Sequence, residues 1–593
     1  MDPTTWAWIG VVVGGIGPVA AVYRSRSVAT NSSGLARSTL PAVLAFLAAA
    51  MASGFVMLDG WWPWGTVSLV VGAIVTGLTS WVGARCTVAT EVRAAAAITR
   101  RGDRGGGVAA RDGATLVSLA VAGCGLAGVS LAYLALAHWL EVDDPAAVLA
   151  GFGLGTVATA LMLRMTDVPL AIDHRRVGPS VDLVAYTVLA LVAAMTIGLG
   201  GESEIGGSAS VFPLGVMVVG FAASILTGLT VRLGNPVSIL RRRGYLAAIA
   251  TAVGGVTLAL VTFDSADLAR PIGMGLAVAA GVALGPALGL IGELFTSDHW
   301  RPVKRIATRS KSGPGPVVLA GIGDATRASS LMLVVVAAVM VAAYRAGELA
   351  ASGGGRYGMA MAAVGVASTL SSSAAGSLFA PIARAAGRIG DSASEMQREA
   401  AEALAAAGSA SGSVASVVNV GAGVATAFAL LLAIGTTTGF GSADLGDGGV
   451  LLGLVVGASI PLFAGGAIAG TSHRSEERGM WTEVLRLVVP VSVATAIPVA
   501  LGIGDVGVLR GFVTGAVGAG LGVAGFVVIA GGAWDNARRL VETGAYGGPG
   551  SRAHRAVVAA DSIGEPLREI AGPTIVTLLA VMTAAALAFK GAF

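Results

Sequence analysis

The sequence predicts an all-α polytopic membrane protein with sixteen transmembrane helices, and three observations support this fold class. Hydrophobic residues make up 55% of the chain and charged residues only 12%, with a mean hydropathy of +0.80, whereas a soluble domain carries about twice that share of charge. Sixteen apolar segments are each long enough to cross a bilayer as a helix. The loops between them alternate between basic and acidic or neutral. Helices are expected because a spanning segment in lipid must satisfy its own backbone groups.

The predicted spans follow one another along the whole chain, so we expect a single membrane domain over residues 1–593. Glycine, with 88 residues, and alanine are abundant, which suits close packing between helices in lipid. The two cysteines have neither a disulfide framework nor metal-ligand spacing. The predicted spans are 6–23, 40–58, 64–86, 114–138, 146–165, 181–199, 210–230, 245–263, 270–294, 316–343, 358–383, 411–434, 448–470, 484–503, 509–533 and 573–590.

The charges of the loops predict the orientation of the chain. Arginine is concentrated in alternate loops, for example at 241–243 and 301–309, whereas the loops between them are acidic, as at 141–144. The positive-inside rule places the basic loops in the cytoplasm and both termini outside. Nearly all basic residues are arginine rather than lysine, which suggests a high-GC bacterial genome and hence the bacterial cytoplasmic membrane. The basic loops follow the topology and do not indicate a nucleic-acid partner.

The most polar part of the C-terminal third lies between the last two predicted spans. It reads GGAWDNARRLVETGA at 531–545 and AADSIGEPLREIAGP at 559–573. Asp561 and Glu565, four residues apart, project from one face of a helix. Acids at that spacing can hold a hard cation, and neighbouring guanidinium groups can hold phosphate oxygens. The alternative is a helix-end loop with salt-bridged caps, and spacing alone leaves both interpretations open.

This stretch resembles the C-terminal signature of membrane-bound, ion-pumping pyrophosphatases, which reads approximately GGAWDNAKK and then GDTIGDPLKDTSGP. The segment GFGLGTVATALMLRM at 151–165 is similar to the family's fifth helix, and further similar segments extend the resemblance over nearly the whole chain. The resemblance implies sixteen helices in two concentric rings, a homodimer, and a central funnel that faces the cytoplasm. The inner-ring helices would be 146–165, 181–199, 358–383, 411–434, 509–533 and 573–590.

The hydrolytic site of that family is the part from which this sequence departs. Hydrolysis there needs several magnesium ions held by many carboxylates, and much of this set lies in a loop after the fifth helix. Here residues 166–186 read TDVPLAIDHRRVGPSVDLVAY, so most of that loop is missing and only Asp167 and Asp173 remain in it. The family's GPISDNAGGI becomes APIARAAGRI at 380–389, which puts Arg384 in the place of a water-activating aspartate. A guanidinium group cannot act as a general base or bind magnesium.

The resemblance also locates the residues that would form the funnel and its gate. Arg164 keeps the arginine at the end of the fifth helix, Asp182 fits the aspartate that opens the sixth, and Ser409 stands at an asparagine of the twelfth. The glutamate and lysine of the family's ion gate fall near Leu189 and at Ala580. Charges inside a membrane are costly and are kept for function, so we do not expect an ion path here.

These departures together predict a cytoplasm-facing funnel lined by small apolar residues, with polar groups at its mouth. We expect it to bind a hydrophobic small molecule, which the polar groups would orient or polarise. Whether the protein is an enzyme stays open. If it is, a cofactor-independent cyclisation in bacterial specialised metabolism, which needs shape and a few hydrogen bonds, is favoured over pyrophosphate hydrolysis. The candidate catalytic residues are Asp535, Asp561, Glu565 and Arg384, and the candidate ligand-binding residues are Arg164, Asp182, Arg538, Arg568 and Ser409.

Other interpretations of the same residues remain. The first alternative is a residual proton- or sodium-translocating inorganic pyrophosphatase, and the second is a catalytically silent membrane scaffold or transporter. We expect no bound metal or other cofactor, and magnesium only if pyrophosphatase activity persists. The polar C-terminal residues could persist as an ion-pair lattice between the last two spans. Asp324 and Arg327, three residues apart inside the tenth span, predict an intramembrane ion pair.

Overall fold

The computed structural model describes residues 3–25, 64–142, 145–165, 174–199, 207–263, 268–387, 394–437, 446–471 and 480–593. Within these ranges every regular element is helical, and 14 helices are long and apolar enough to cross a membrane. The all-α polytopic fold predicted from the sequence is therefore confirmed. These helices correspond to all the predicted spans except two. The span 40–58 lies outside the described residues. The span 484–503 lies in the helix Met480–Gly504, whose apolar stretch, Val489–Gly504, is shorter than the other spans.

The α-helices are numbered here in chain order. They are α1 (Pro3–Ser25), α2 (Trp64–Leu134), α3 (Pro145–Met165), α4 (His174–Leu199), α5 (Phe212–Thr230), α6 (Pro236–Thr262), α7 (Ala269–Thr296), α8 (Arg301–Arg309), α9 (Pro314–Ala350), α10 (Gly355–Ala386), α11 (Glu395–Thr437), α12 (Gly448–Thr471), α13 (Met480–Gly504), α14 (Val506–Glu542), α15 (Arg552–Pro566) and α16 (Gly572–Ala588).

Two predicted spans, 64–86 and 114–138, share the long element α2. Its helical path is interrupted at Gly102, where φ is 65° and ψ is −155°. Only glycine adopts this conformation without strain, because any β-carbon would clash with the backbone. The two predicted spans are thus extended beyond their apolar parts, and Gly102 makes the turn between them.

Burial differs sharply between the helices. In the most apolar window of Val148–Met165, Gly178–Leu199 and Gly355–Ala386, 94% of the residues are buried, whereas the share is 33% for Pro236–Thr262 and 17% for Gly448–Ile468. The first three belong to the predicted inner ring and the last two do not. A helix that is apolar all round is expected where protein surrounds it or where it faces lipid. This contrast supports two rings, which remain a prediction.

The last two predicted inner helices are positioned by a close approach of their polar extensions. Gly531 in α14 packs on Gly564 in α15, and a β-carbon on Gly531 would overlap the carbonyl oxygen of Gly564. Nearby, the indole nitrogen of Trp534 donates to the carbonyl oxygen of Val317 at 3.3 Å, and the side-chain amide of Asn536 donates to that of Thr296 at 2.6 Å. These contacts fix α14 against α7, α9 and α15.

Gly531→Val is expected to lower the midpoint of thermal unfolding in detergent, because α14 and α15 must separate to admit the side chain. Overpacking of this kind costs about 1–3 kcal/mol, and more when backbone blocks relaxation. Gly518→Val is the matched control, since a β-carbon there meets nothing within 4 Å. An equal midpoint for the two variants would contradict the proposed packing.

Candidate functional site

Six segments meet at one end of the helix bundle and bring most of the candidate residues together. They are the C-terminal end of α3, the start of α4, the C-terminal ends of α10 and α14, the first half of α11, and the turn between α15 and α16. We call this region the polar end. Its side chains form three groups of ion pairs around a cavity, and the second and third groups share Glu569.

Arg164 and Asp182 form the first group. The Nε of Arg164 donates to Asp182 Oδ1 at 2.6 Å, and its Nη2 pairs with Oδ2, so the contact is bidentate. Arg164 Nη2 also donates to the carbonyl oxygen of Gly178 at 3.2 Å, and the hydroxyl of Thr577 donates to Asp182 at 3.5 Å. Both charged side chains are buried. A bidentate geometry is what offsets the cost of removing two charges from water, and here it joins α3, α4 and α16.

Arg568 is the centre of the second group. Its Nη1 donates to Asp535 Oδ2 at 2.8 Å and to Ser413 Oγ at 3.2 Å, and its Nη2 donates to Glu569 Oε1 at 3.0 Å. Arg568 lies in a single π-helical turn, Leu567–Ala571. Pro566 and Pro573 flank this turn, and because neither residue can donate a backbone hydrogen bond, a regular ladder cannot continue through it.

Asp535 extends this group towards α15. Its Oδ1 accepts from Arg539 Nε at 3.2 Å and from Arg538 Nη2 at 3.5 Å. Arg538 Nη1 in turn pairs with Asp561 Oδ2 at 3.2 Å. The other oxygen of Asp561 is buried and has no hydrogen-bond partner within the described ranges. The predicted ion-pair lattice between the last two spans is therefore present.

Arg384 forms the third contact, from α10. Its Nη1 donates to Glu569 Oε1 at 2.5 Å, and the same carboxylate accepts from Arg568. Arg384, which stands in the place of an aspartate of the resembled family, thus neutralises Glu569 on the opposite side of the cavity. A charge-assisted pair of this kind is shorter and stronger than a neutral hydrogen bond.

These groups surround a cavity of about 70 Å³. Its wall combines the charged side chains with serine hydroxyls from α10 and α11 and with apolar groups, so it carries more polar atoms than the sequence predicted. Five candidate residues line it: Arg164, Asp182, Arg384, Ser409 and Arg568. The hydroxyl of Ser409 is buried and has no hydrogen-bond partner in the described part of the chain.

The remaining candidates lie behind the cavity wall. Asp535, Asp561 and Arg538 are held in the ion pairs between α14 and α15, and Glu565 is half-buried on α15, one turn beyond Asp561. None of them lines the cavity. Their predicted catalytic or ligand-binding roles stay predictions. Asp535 is connected to the cavity through Arg568, which contacts it directly and lines the wall.

Sequence reasoning did not select several residues of the wall. These residues are Tyr186, Ser377, Ser416, Asn419 and Glu569. Spacing could have identified part of this set, because positions 409, 412, 416 and 419 form a stripe of small and polar residues along one face of α11. The side-chain amide of Asn419 donates to Ser377 Oγ at 3.1 Å and links this face to α10.

A comparison with models of protein families identifies the family of this chain. The model described as "Inorganic H+ pyrophosphatase" matches residues 29–167, 176–486 and 480–589. The chain belongs to this pyrophosphatase family. The resemblance stated from the C-terminal signature is therefore confirmed, and it extends over most of the chain.

Several curated relatives support the same assignment at modest identity. The chain is similar to a "Putative K(+)-stimulated pyrophosphate-energized sodium pump" of Clostridium tetani, with 28% identity over 70% of this chain and 66% of that protein. A protein of the same name from Bacteroides thetaiotaomicron is 26% identical over 92% of this chain and 90% of its own length. A "K(+)-insensitive pyrophosphate-energized proton pump 2" of Moorella thermoacetica is 25% identical, with 89% and 88% covered.

In the part of the chain that the structure describes, the acids at the polar end are paired with arginines. Among the described residues, no group of three or more His, Cys, Asp or Glu side chains is placed to hold a metal ion. Asp535, Asp561 and Glu569 each form an ion pair with arginine, which competes with a cation for the same oxygens. Asp167 and Asp173 lie outside the described residues.

The predicted ion pair in the tenth span is also present. Arg327 Nη1 lies 3.3 Å from Asp324 Oδ1, and Asp324 is buried in α9. The structure adds a second partner that spacing did not identify, because Arg305 of α8 pairs with the same oxygen. The pair therefore also holds α8 against α9.

Asp535→Asn is expected to destabilise the protein strongly, because the buried guanidinium of Arg568 loses its main counter-charge. Breaking one partner of a buried pair costs roughly 3–5 kcal/mol, measurable as a loss in the free energy of unfolding in detergent. Glu542→Gln is the control: its carboxylate is 38% exposed and lies 3.7 Å from Arg538, and such pairs contribute about 0–1 kcal/mol. A similar loss in both variants would contradict a structural role for Asp535.

Proposed function

We propose that this family member binds a hydrophobic small molecule in the cavity at the polar end and transforms it without a metal or organic cofactor, instead of pumping ions with pyrophosphate. One observation carries the proposal. Three arginines, Arg164, Arg384 and Arg568, line the cavity, and the two acids beside them, Asp182 and Glu569, are paired with them. The charge balance that magnesium would supply around pyrophosphate is supplied by side chains.

The cavity suits a molecule with an apolar body and a polar group. About 10–15 Å³ is needed for each water molecule on this measure, so 70 Å³ admits a few waters or a small polar head. The wall also contains Tyr186, Pro381, Val420 and Pro573, which offer an apolar surface next to the charges. Concave sites of this composition commonly bind small organic molecules.

The proposed chemistry is a cyclisation, in which the atoms of one molecule are rearranged and nothing is added. The guanidinium groups of Arg384 and Arg568 would stabilise negative charge that develops on an oxygen of the substrate. The unpartnered hydroxyl of Ser409 is available to orient that oxygen. The apolar surface next to the charges would fix the orientation of the reacting end of the substrate, which lowers the entropic part of the barrier.

The proposal also covers the membrane, the oligomeric state and the orientation of the protein. We propose that the protein lies in a bacterial cytoplasmic membrane as a homodimer, with both termini outside and the polar end facing the cytoplasm. The arginine-rich loops support this orientation. A hydrophobic substrate would then reach the cavity from the cytoplasm or from the inner leaflet.

A residual pyrophosphate-driven pump is the second candidate, since the curated relatives are named as such pumps. The residues of the C-terminal signature favour it, because Asp535, Asn536 and Asp561 are retained and buried. The interior of the bundle counts against it. Leu189 and Ala580, which stand where the resemblance places the gate, are completely buried among apolar neighbours, and neither can carry a charge or a proton.

Purified protein supplied with magnesium and pyrophosphate is expected to release no phosphate above background, and vesicles containing it to form no pyrophosphate-dependent proton or sodium gradient. The reason is that most of the loop that carries the family's metal-binding carboxylates is missing and that Arg384 stands in the place of the water-activating aspartate. Turnover in the ordinary range of about 1–10³ s⁻¹, together with an ionophore-sensitive gradient, would establish the second candidate instead.

Ser416→Phe is expected to remove a molecule that co-purifies with the wild-type protein, because Ser416 lines the cavity and an aromatic ring there would fill it. The molecule would be released by denaturation and measured by mass spectrometry. Ser330→Phe is the matched control: this exposed serine of α9 donates only to the carbonyl oxygen of Thr326. Equal occupancy in the two variants would place the ligand elsewhere.

A further inference from the structure

A second, larger cavity lies between α6, α7, α10 and α11. Its volume is about 150 Å³, and its surface is mainly apolar. It shares a wall with the cavity at the polar end, because neighbouring residues of α10 and α11 face opposite sides. Gly376 and Ala415 line the larger cavity, whereas Ser377 and Ser416 line the polar one. The α10–α11 pair therefore separates an apolar compartment from a charged one.

Glycine residues on α6 and α7, which have no side chains, keep this cavity open. A β-carbon on Gly244 would meet nothing within 4 Å, one on Gly289 would lie 3.7 Å from Val418, and one on Gly285 would lie 3.8 Å from Thr369. These are ordinary contact distances or open space, so larger residues would fit. Cores are otherwise packed with few voids of this size.

An ion pair lies at the rim of the cavity. Arg241 Nη1 of α6 is 2.6 Å from Glu293 Oε1 of α7, and both residues line the cavity. The side chains are 48% and 28% exposed, respectively. The rim therefore presents one positive and one negative group next to each other, above an apolar interior.

The helix α6 also lies at the outer surface of the helix bundle. Ile249 and Val253, on its other face, are 61% and 63% exposed, as expected for a helix that faces lipid. An engineered apolar protein cavity of about 150 Å³ stays dry and binds benzene. A cavity of the same size beside lipid is therefore large enough for part of one hydrocarbon chain.

From these observations we infer that the cavity between α6, α7, α10 and α11 binds one acyl chain of a zwitterionic phospholipid, whose phosphate lies at Arg241 and whose ammonium group lies at Glu293. Charge complementarity selects this headgroup. A purely anionic head would meet the carboxylate of Glu293 as well as the guanidinium of Arg241, whereas a zwitterion matches both. The site uses residues other than those of the proposed reaction, so it does not rest on the proposed function.

The test titrates the detergent-purified protein with 1-palmitoyl-2-oleoyl-phosphatidylethanolamine and counts bound lipid by native mass spectrometry. Gly289→Leu places a side chain inside the cavity and is expected to weaken binding at the tightest site by about tenfold or more, because several methylene groups lose their place. Gly244→Leu repeats the test on α6. Gly466→Leu is the matched control, since Gly466 lies on exposed α12 and a β-carbon there meets nothing within 4 Å.

Headgroup selection is tested in the same titration with the corresponding phosphatidylglycerol. We expect it to bind at least about threefold more weakly than the phosphatidylethanolamine, and Glu293→Gln to reduce that preference. Wild-type affinity in both cavity-filling variants, confirmed as folded by their melting temperatures, would overturn the acyl-chain site. Equal binding of the two lipids to the wild-type protein would overturn the assignment of the headgroup.

Discussion

The buried guanidinium group of Arg568 is the constraint on which the polar end depends. A charge that is removed from water must be paired and fully hydrogen-bonded, and Arg568 meets this requirement through Asp535, Ser413 and Glu569. Its partners come from α14, from α11 and from its own turn, so the requirement determines how these elements converge. The π-helical turn between Pro566 and Pro573 lets the side chain reach all three. The contacts of Arg568 thereby join α11, α14 and the turn before α16 in one arrangement at this end.

The pair between Arg384 and Glu569 shows how the site differs from one that holds several metal ions. In a cluster of carboxylates the like charges repel each other, and only bound cations keep them ionised side by side. Here a guanidinium from α10 contacts the acid at 2.5 Å, and Arg568 contacts the same oxygen. The acid is therefore satisfied without a cation. A ligand that enters the cavity would meet positive groups whose counter-charges are already fixed, and the function proposed above depends on this charge balance.

Hydropathy predicted most of the fold, because the requirement for internally satisfied backbone in lipid acts on each segment separately. The predicted bounds 146–165 and 573–590 lie close to α3 and α16, Pro145–Met165 and Gly572–Ala588. The bound 509–533 was too short, since α14 continues to Glu542. Beyond position 533 the buried charged residues form ion pairs. A hydropathy scale scores such residues as exposed, because it takes no account of their partners. Hence the end of the apolar run did not mark the end of the helix.

The site was predicted less completely, because its contacts join residues far apart in the chain. Arg384 and Glu569 are separated by 185 positions, and no local pattern indicates that a substitution in α10 has its partner after α15. The resemblance singled out Arg384, but sequence reasoning did not select Glu569 and therefore gave no sign of the pairing. Spacing could have shown only the stripe on α11, and that helix proves central. Because one of its faces lines the charged cavity and the adjacent face lines the apolar one, a rotation of α11 sufficient to change one compartment must also change the other. The volume of the apolar cavity, and whatever fills it, therefore constrains where Ser409 and Ser416 stand relative to the arginines.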